Sequence, residues 1–248
     1  MNINYAKFGN GNKIMLIIPG LSLRPVTGDV QAIANAYELF SNDFTVYLFD
    51  QREDVEKGYS IEDMADDALA KIDELGLKDI YLYGVSMGGM LSQYMVLKRP
   101  ELFKKLVLCS NVSKVENNEA FDSWYKNAED KNINKLLESF MYYIYTKEFN
   151  DMYLSLFKKM NSDISDRELE LLKIRIEAMK GFDLYDIVNN KVPCLVLGSK
   201  KDKVFTVEQM NQLVKNMNAD YYFYDDYAHS IYDECADVKD RIYKFFMN

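Results

Sequence analysis

Residues 82–90 read LYGVSMGGM, with Ser86 two residues after Gly84 and two before Gly88. The stretch follows an apolar run, Ile80-Tyr81-Leu82-Tyr83, and precedes a helix-like run, GMLSQYMVLKR, that ends before Pro100. Strand, G-x-S-x-G and helix in that order describe a turn so sharp that the serine is forced into a strained backbone conformation. Its neighbours at plus and minus two come too close for side chains, so glycine is required there. The helix is expected to start at about Met87. Its unpaired N–H groups and positive dipole end would then lie beside the hydroxyl, where a developing oxyanion would form.

A serine hydroxyl is a weak nucleophile at neutral pH unless a base takes its proton and an acid orients that base. The chain has one histidine, His229, in the segment DDYAHSIYD between the apolar run 220–224 and a closing helix ending IYKFF. It is therefore the candidate base. The candidate acid is Asp202 in LGSKKDKVFTVEQ, directly after the apolar run VPCLVL, which keeps the chain order Ser, Asp, His. Asp225 and Asp226 are alternatives that would have to reach His229 from its own loop.

Short apolar runs at 14–18, 44–49, 79–83, 105–109, 192–197 and 220–224 read as buried strands, most without polar alternation, as in strands covered on both faces. Helical segments separate them. Ser60 with Asp63 resembles a capping box ahead of a helix over 61–75, ended by Gly76, and Thr206 with Gln209 does the same for 207–217. Alternation of this kind predicts an α/β fold with a mostly parallel twisted sheet flanked by helices. The stretch 113–185 breaks the rhythm. It reads as helical throughout, with Ser165 and Glu168 marking an internal helix start, and is crowded with aromatic and methionine side chains. We expect core residues 1–112 and 186–248 with 113–185 inserted as an all-helical cap over the carboxyl edge of the sheet, where such sheets bind ligands. Aromatics at helical spacing ordinarily pack against one another. Trp124 and Tyr143, with Gly20, are the candidate substrate contacts.

The 248 residues, 48% apolar, suffice for one large domain or a core with an insertion. A formal charge of -9 with no basic block disfavours nucleic acid and anionic lipid as partners. Residues 1–13 hold no long apolar region and no run approaches a membrane span, so a soluble, cytoplasmic chain is expected. Cys109, Cys194 and Cys235 are widely spaced without any CxxC, which suits packed, reduced thiols. With one histidine and no carboxylate-rich loop of suitable spacing, neither metal nor cofactor is expected.

Ser86, Asp202 and His229, the loop Ile17-Ile18-Pro19-Gly20-Leu21-Ser22 and the long helical insertion together resemble the α/β-hydrolase superfamily in its capped form, over essentially the whole chain. The resemblance implies a second oxyanion donor in the loop after an early strand. Here that donor would be the Leu21 N–H, joining that of Met87. Proline stands where a histidine commonly precedes the glycine, and Glu53 replaces a glycine common after the arginine in FDQRED. A serine rather than an aspartate at the turn implies an acyl-enzyme, so the expected function is serine hydrolysis of a small-molecule carboxylic ester. Thioesterase, acyltransferase and C–C hydrolase activities, and a ligand-binding or signalling role on the same fold, stay open. Arg24, just after the oxyanion loop, is a candidate for a substrate carboxylate.

Overall fold

The computed structural model describes residues 3–186 and 190–248. Residues 1 and 2 of the leading stretch, and 187–189 near the start of the expected second core segment, lie outside the described residues. Seven strands form one sheet: β1 (Tyr5–Phe8), β2 (Lys13–Ile18), β3 (Phe44–Phe49), β4 (Ile80–Val85), β5 (Phe103–Cys109), β6 (Cys194–Ser199) and β7 (Asp220–Tyr224). Their order is β1-β3-β2-β4-β5-β6-β7, parallel except for β1, which pairs antiparallel with β3. Sequence reading found the six parallel strands to within two residues at either end. It passed over β1, a four-residue edge strand whose outer positions are exposed.

The missing polar alternation has a direct cause. Leu16 and Ile18, Leu82, and Leu106 and Leu108 pack on one face of the sheet, while Met15 and Ile17, Tyr83 and Val85, and Val107 and Cys109 pack on the other. On one side lie α2 (Ile61–Leu75) and α3 (Met87–Lys98), and on the other α1 (Val30–Ala36) and the closing helix. The capping boxes form as expected: Ser60 accepts from the Asp63 N–H while the Asp63 carboxylate accepts from the Ser60 N–H at 2.9 Å. Gly76 ends α2 with φ 63°, the left-handed turn that favours glycine.

Between β5 and β6 the chain forms four helices, α4 (Glu119–Glu129), α5 (Ile133–Ile144), α6 (Lys147–Met160) and α7 (Asp166–Lys180). The stretch 113–185 is not helical throughout. Its two ends pair as a short antiparallel neck, with Val115 N–H donating to Phe182 O at 3.0 Å and Leu184 N–H to Ser113 O at 2.7 Å. These bonds satisfy backbone groups where the insertion leaves and rejoins the sheet. After β6 follow α8 (Val207–Met217), β7, the single turn α9 (Ile231–Glu234) and α10 (Ala236–Met247). Among the described residues no helix is long and apolar enough to cross a membrane. All three cysteines are free and buried, and burial pushes the Cys109 thiol up to about 12.

Two stability predictions follow from this framework. Ser60→Ala should cost about 1 kcal/mol in urea unfolding at neutral pH. Hydrogen bonds from Ser60 hold the Asp63 carboxyl below its usual range. The contribution of the box is therefore complete above the unfolded-state carboxyl value and is lost as pH falls through the lowered folded value, so the gap between variant and wild type should narrow in acid. Gly88 meets a harder limit, since a Cβ there would lie 2.1 Å from Ile18 O and 2.5 Å from Pro19 O, both backbone atoms. Gly88→Ala should cost about 3 kcal/mol or more; wild-type stability would contradict this packing.

Candidate active site

Ser86 sits at the junction of β4 and α3 with φ 48° and ψ −120°, a conformation that side-chain-bearing residues rarely adopt. The surroundings hold it there. Its N–H donates to Cys109 O at 2.9 Å, and the Asn111 side chain donates to its carbonyl at 2.5 Å. Gln93 in turn donates to Asn111 Oδ1 at 2.6 Å and to Val112 O at 2.9 Å. Around the turn a Cβ on Gly84 would lie 2.4 Å from Ser92 Oγ, and one on Gly89 would lie 2.7 Å from the Asn111 amide. Ser86 stands where an N-cap residue would, yet its hydroxyl makes no cap bond to the helix. It points to the imidazole instead.

His229 Nε2 lies 2.9 Å from Ser86 Oγ, and His229 Nδ1 lies 2.8 Å from Asp202 Oδ2. A carboxylate accepts, so Nδ1 carries the proton toward Asp202 and Nε2 is left to accept from the serine. The remaining Asp202 oxygen accepts from the Val204 and Phe205 N–H groups at 2.7 and 3.0 Å, and its side chain is fully buried. His229 is 3% exposed, packed edge-on against Phe205, with its carbonyl held by Ser110 Oγ at 2.5 Å. The three side chains follow the carboxyl ends of β4, β6 and β7, and so converge from positions far apart in the chain. Such an arrangement can pass the serine proton to the imidazole as the oxygen attacks a carbon centre. Asp225 and Asp226 point away and pair with Lys200 and Lys201 on the surface, at 2.6 and 2.7 Å.

Above Ser86 lies a narrow cleft lined by Gly20, Leu21, Ser86, His229 and Tyr232 from the core and by Phe121, Trp124, Phe140, Ile144 and Met179 from the insertion. Gly20 abuts the serine: a Cβ there would stand 3.2 Å from Ser86 Cβ. Among the described residues neither the Leu21 nor the Met87 N–H has a backbone acceptor. Trp124 stacks flat on Phe140, ring centroids 4.4 Å apart, and its buried indole N–H has no partner among the described residues.

Two sequence expectations need correction. Tyr143 does not line the cleft but packs edge-on against Trp124, ring centroids 6.2 Å apart. Arg24 is not available to a substrate carboxylate. Its guanidinium donates to Asp163 at 2.6 Å, Glu168 at 3.0 Å and Met160 O at 3.0 Å, tying the loop after β2 to the insertion, and these partners raise its pKa. Phe121, Met179, Tyr232 and Asn111 were not singled out from sequence. Their roles arise from which side of a helix or loop faces Ser86, which no local motif records.

Known proteins share this architecture. The family model described as alpha/beta hydrolase fold matches residues 13–180. A 3-oxoadipate enol-lactonase from Acinetobacter baylyi is 22% identical over 211 residues, covering 83% of this chain and 78% of the relative. The solved structure of MGS-M2, an alpha/beta hydrolase enzyme from a Medee basin deep-sea metagenome library, superposes with a TM-score of 0.87 at 18% identity, covering 99% of this chain and 94% of that one. An enol-lactonase from Burkholderia xenovorans LB400 does so with a TM-score of 0.85 at 19% identity, covering 99% and 96%. With a matching family model over most of its length and the same fold from end to end, the chain belongs to the alpha/beta hydrolase family.

Proposed function

We propose that the protein is a serine hydrolase that cleaves a small carboxylic ester by way of an acyl-enzyme on Ser86. The observation that carries this reading is the unbroken hydrogen-bonded line from Ser86 Oγ through His229 to Asp202. In the proposed cycle His229 Nε2 takes the hydroxyl proton as Ser86 Oγ attacks the acyl carbonyl. Asp202 holds the imidazole in the tautomer this needs and stabilises the imidazolium that forms. The N–H groups of Leu21 and Met87 receive the oxyanion, each worth about 3–4 kcal/mol to the rate. Collapse of the tetrahedral adduct expels the alcohol, which takes the proton back from His229. Water activated by the same imidazole then releases the acid.

The substrate class follows from the cleft. Its wall from the insertion is wholly apolar apart from the Trp124 indole N–H, which suits an apolar or aromatic acyl group. Residues 113–185 act in this reading as the cap that selects the substrate, and the indole N–H binds a second substrate oxygen. The names of the two enol-lactonases agree with the bond type, since a lactone is an internal ester.

Ser86→Ala should reduce hydrolysis of p-nitrophenyl acetate by at least about ten-thousandfold with the melting temperature unchanged. Turnover surviving in that variant would defeat the proposal. Trp124→Phe keeps an aromatic ring against Phe140 but deletes the donor. It should raise KM severalfold for lactones and for esters bearing a second oxygen, while leaving p-nitrophenyl acetate little affected; equal effects on both groups would show that the indole N–H does not select substrate.

A further inference from the structure

We propose that Gln51 is a positioning residue that aims the Leu21 N–H at the oxyanion, a role that rests on the ester-hydrolase reading above. Gln51 lies two residues beyond the carboxyl end of β3, the neighbour of β2 in the sheet. Its side-chain Nε2 donates to Gly20 O at 2.6 Å. The Gly20–Leu21 peptide is trans, as are all others described, so its carbonyl and its N–H point in opposite directions across one rigid plane. Holding Gly20 O therefore sets the direction of the Leu21 N–H.

The two sides of that plane face different spaces. Gln51 lines a separate small pocket together with Pro19, Arg52 and Arg175. Gly20 and Leu21 line the cleft that holds Ser86. The carbonyl is pulled toward the first, and the N–H is left facing the second. The loop from Pro19 to Pro25 contains no helix or strand, so no ladder of backbone bonds fixes the plane for it. Arg175, reaching across from α7, braces the carbonyl two residues on, Ser22 O, at 3.5 Å and also Arg52 O at 3.2 Å, but neither bond touches the Gly20–Leu21 plane.

The amide is used on one side only. Gln51 Oε1 is buried with no hydrogen-bond partner among the described residues. Exchanging the amide nitrogen and oxygen would bring two acceptors together at the distance now spanned by the bond to Gly20 O, so that contact dictates the orientation. An unpaired buried oxygen is unfavourable, and an apolar side chain of the same length would fill the space without it. What glutamine adds at this position is its donor.

The test compares wild type with Gln51→Met, which keeps the length without a donor, and Gln51→Glu, a second variant that keeps the shape and replaces the donor with an acceptor. We expect kcat for p-nitrophenyl acetate to fall by about tenfold to a hundredfold in each, less than the loss of a whole oxyanion donor, with KM and melting temperature unchanged. The Ki of a trifluoromethyl ketone, whose adduct carries the oxyanion, should rise by the same factor as kcat/KM falls. Unchanged kcat and Ki in whichever variant folds would overturn the proposal. So would a loss accounted for by KM and stability, because a merely structural glutamine would act there. Fluorophosphonate labelling separates the two levels of the argument: failure to label Ser86 in wild type would overturn the ester-hydrolase reading and this role with it, whereas labelled wild type with unaltered variants removes the role of Gln51 alone.

Discussion

The strained backbone of Ser86 is the constraint on which the rest of the molecule depends. A non-glycine residue at φ 48° and ψ −120° costs about 1–3 kcal/mol and persists only where its neighbours leave no alternative. Here they leave none. The next strand accepts its N–H, Asn111 grips its carbonyl, and Gly84, Gly88 and Gly89 allow neighbouring backbone and side-chain atoms to approach to distances that any Cβ would forbid. The hydroxyl is thereby lifted out of the sheet at the mouth of a helix, with no cap bond of its own to hold it back.

The remaining architecture delivers partners to that one oxygen. β6 and β7 are neighbours, so the loops that follow them bring Asp202 and His229 together. The insertion is fastened to the histidine loop as well as to its neck. Ser230 N–H donates to Ile144 O at 2.9 Å, Tyr145 Oη to Asp233 at 2.9 Å, and Thr146 to Glu234. On the opposite flank Arg24 joins the loop after β2 to Asp163 and Glu168. The helices above the serine are thus tied at both sides of the cleft, which keeps Trp124 and Phe140 in register with the residues below them.

How much of this could be read beforehand depended on whether a feature is local in the chain. The turn 84–88 carries its own evidence, because the glycines that permit it are in the same five residues. The capping pairs Ser60 with Asp63 and Thr206 with Gln209 are local too, and they placed both helices to the residue. His229 could be picked out because no other histidine competes, and Asp202 because strand ends precede both. Features made by tertiary contact were not visible. Gln51 and Arg175 act through carbonyls of a distant loop, Asn111 through the carbonyl of Ser86, and Tyr143, one turn of α5 from Phe140, meets Trp124 edge-on instead of lining the cleft. Arg24 misled for the same reason: nothing near it in sequence announces Asp163 or Glu168.

The central claim is that the Ser86 oxygen carries the acyl group, and rapid quenching followed by mass spectrometry tests it most directly. Mixing the protein with p-nitrophenyl acetate and quenching in acid should trap a single added acetyl group on the peptide containing Ser86, formed as fast as the initial release of nitrophenol and absent from Asp202→Asn on that timescale. Release of nitrophenol with no acetyl group on any peptide, or with the group on a residue other than Ser86, would contradict the account.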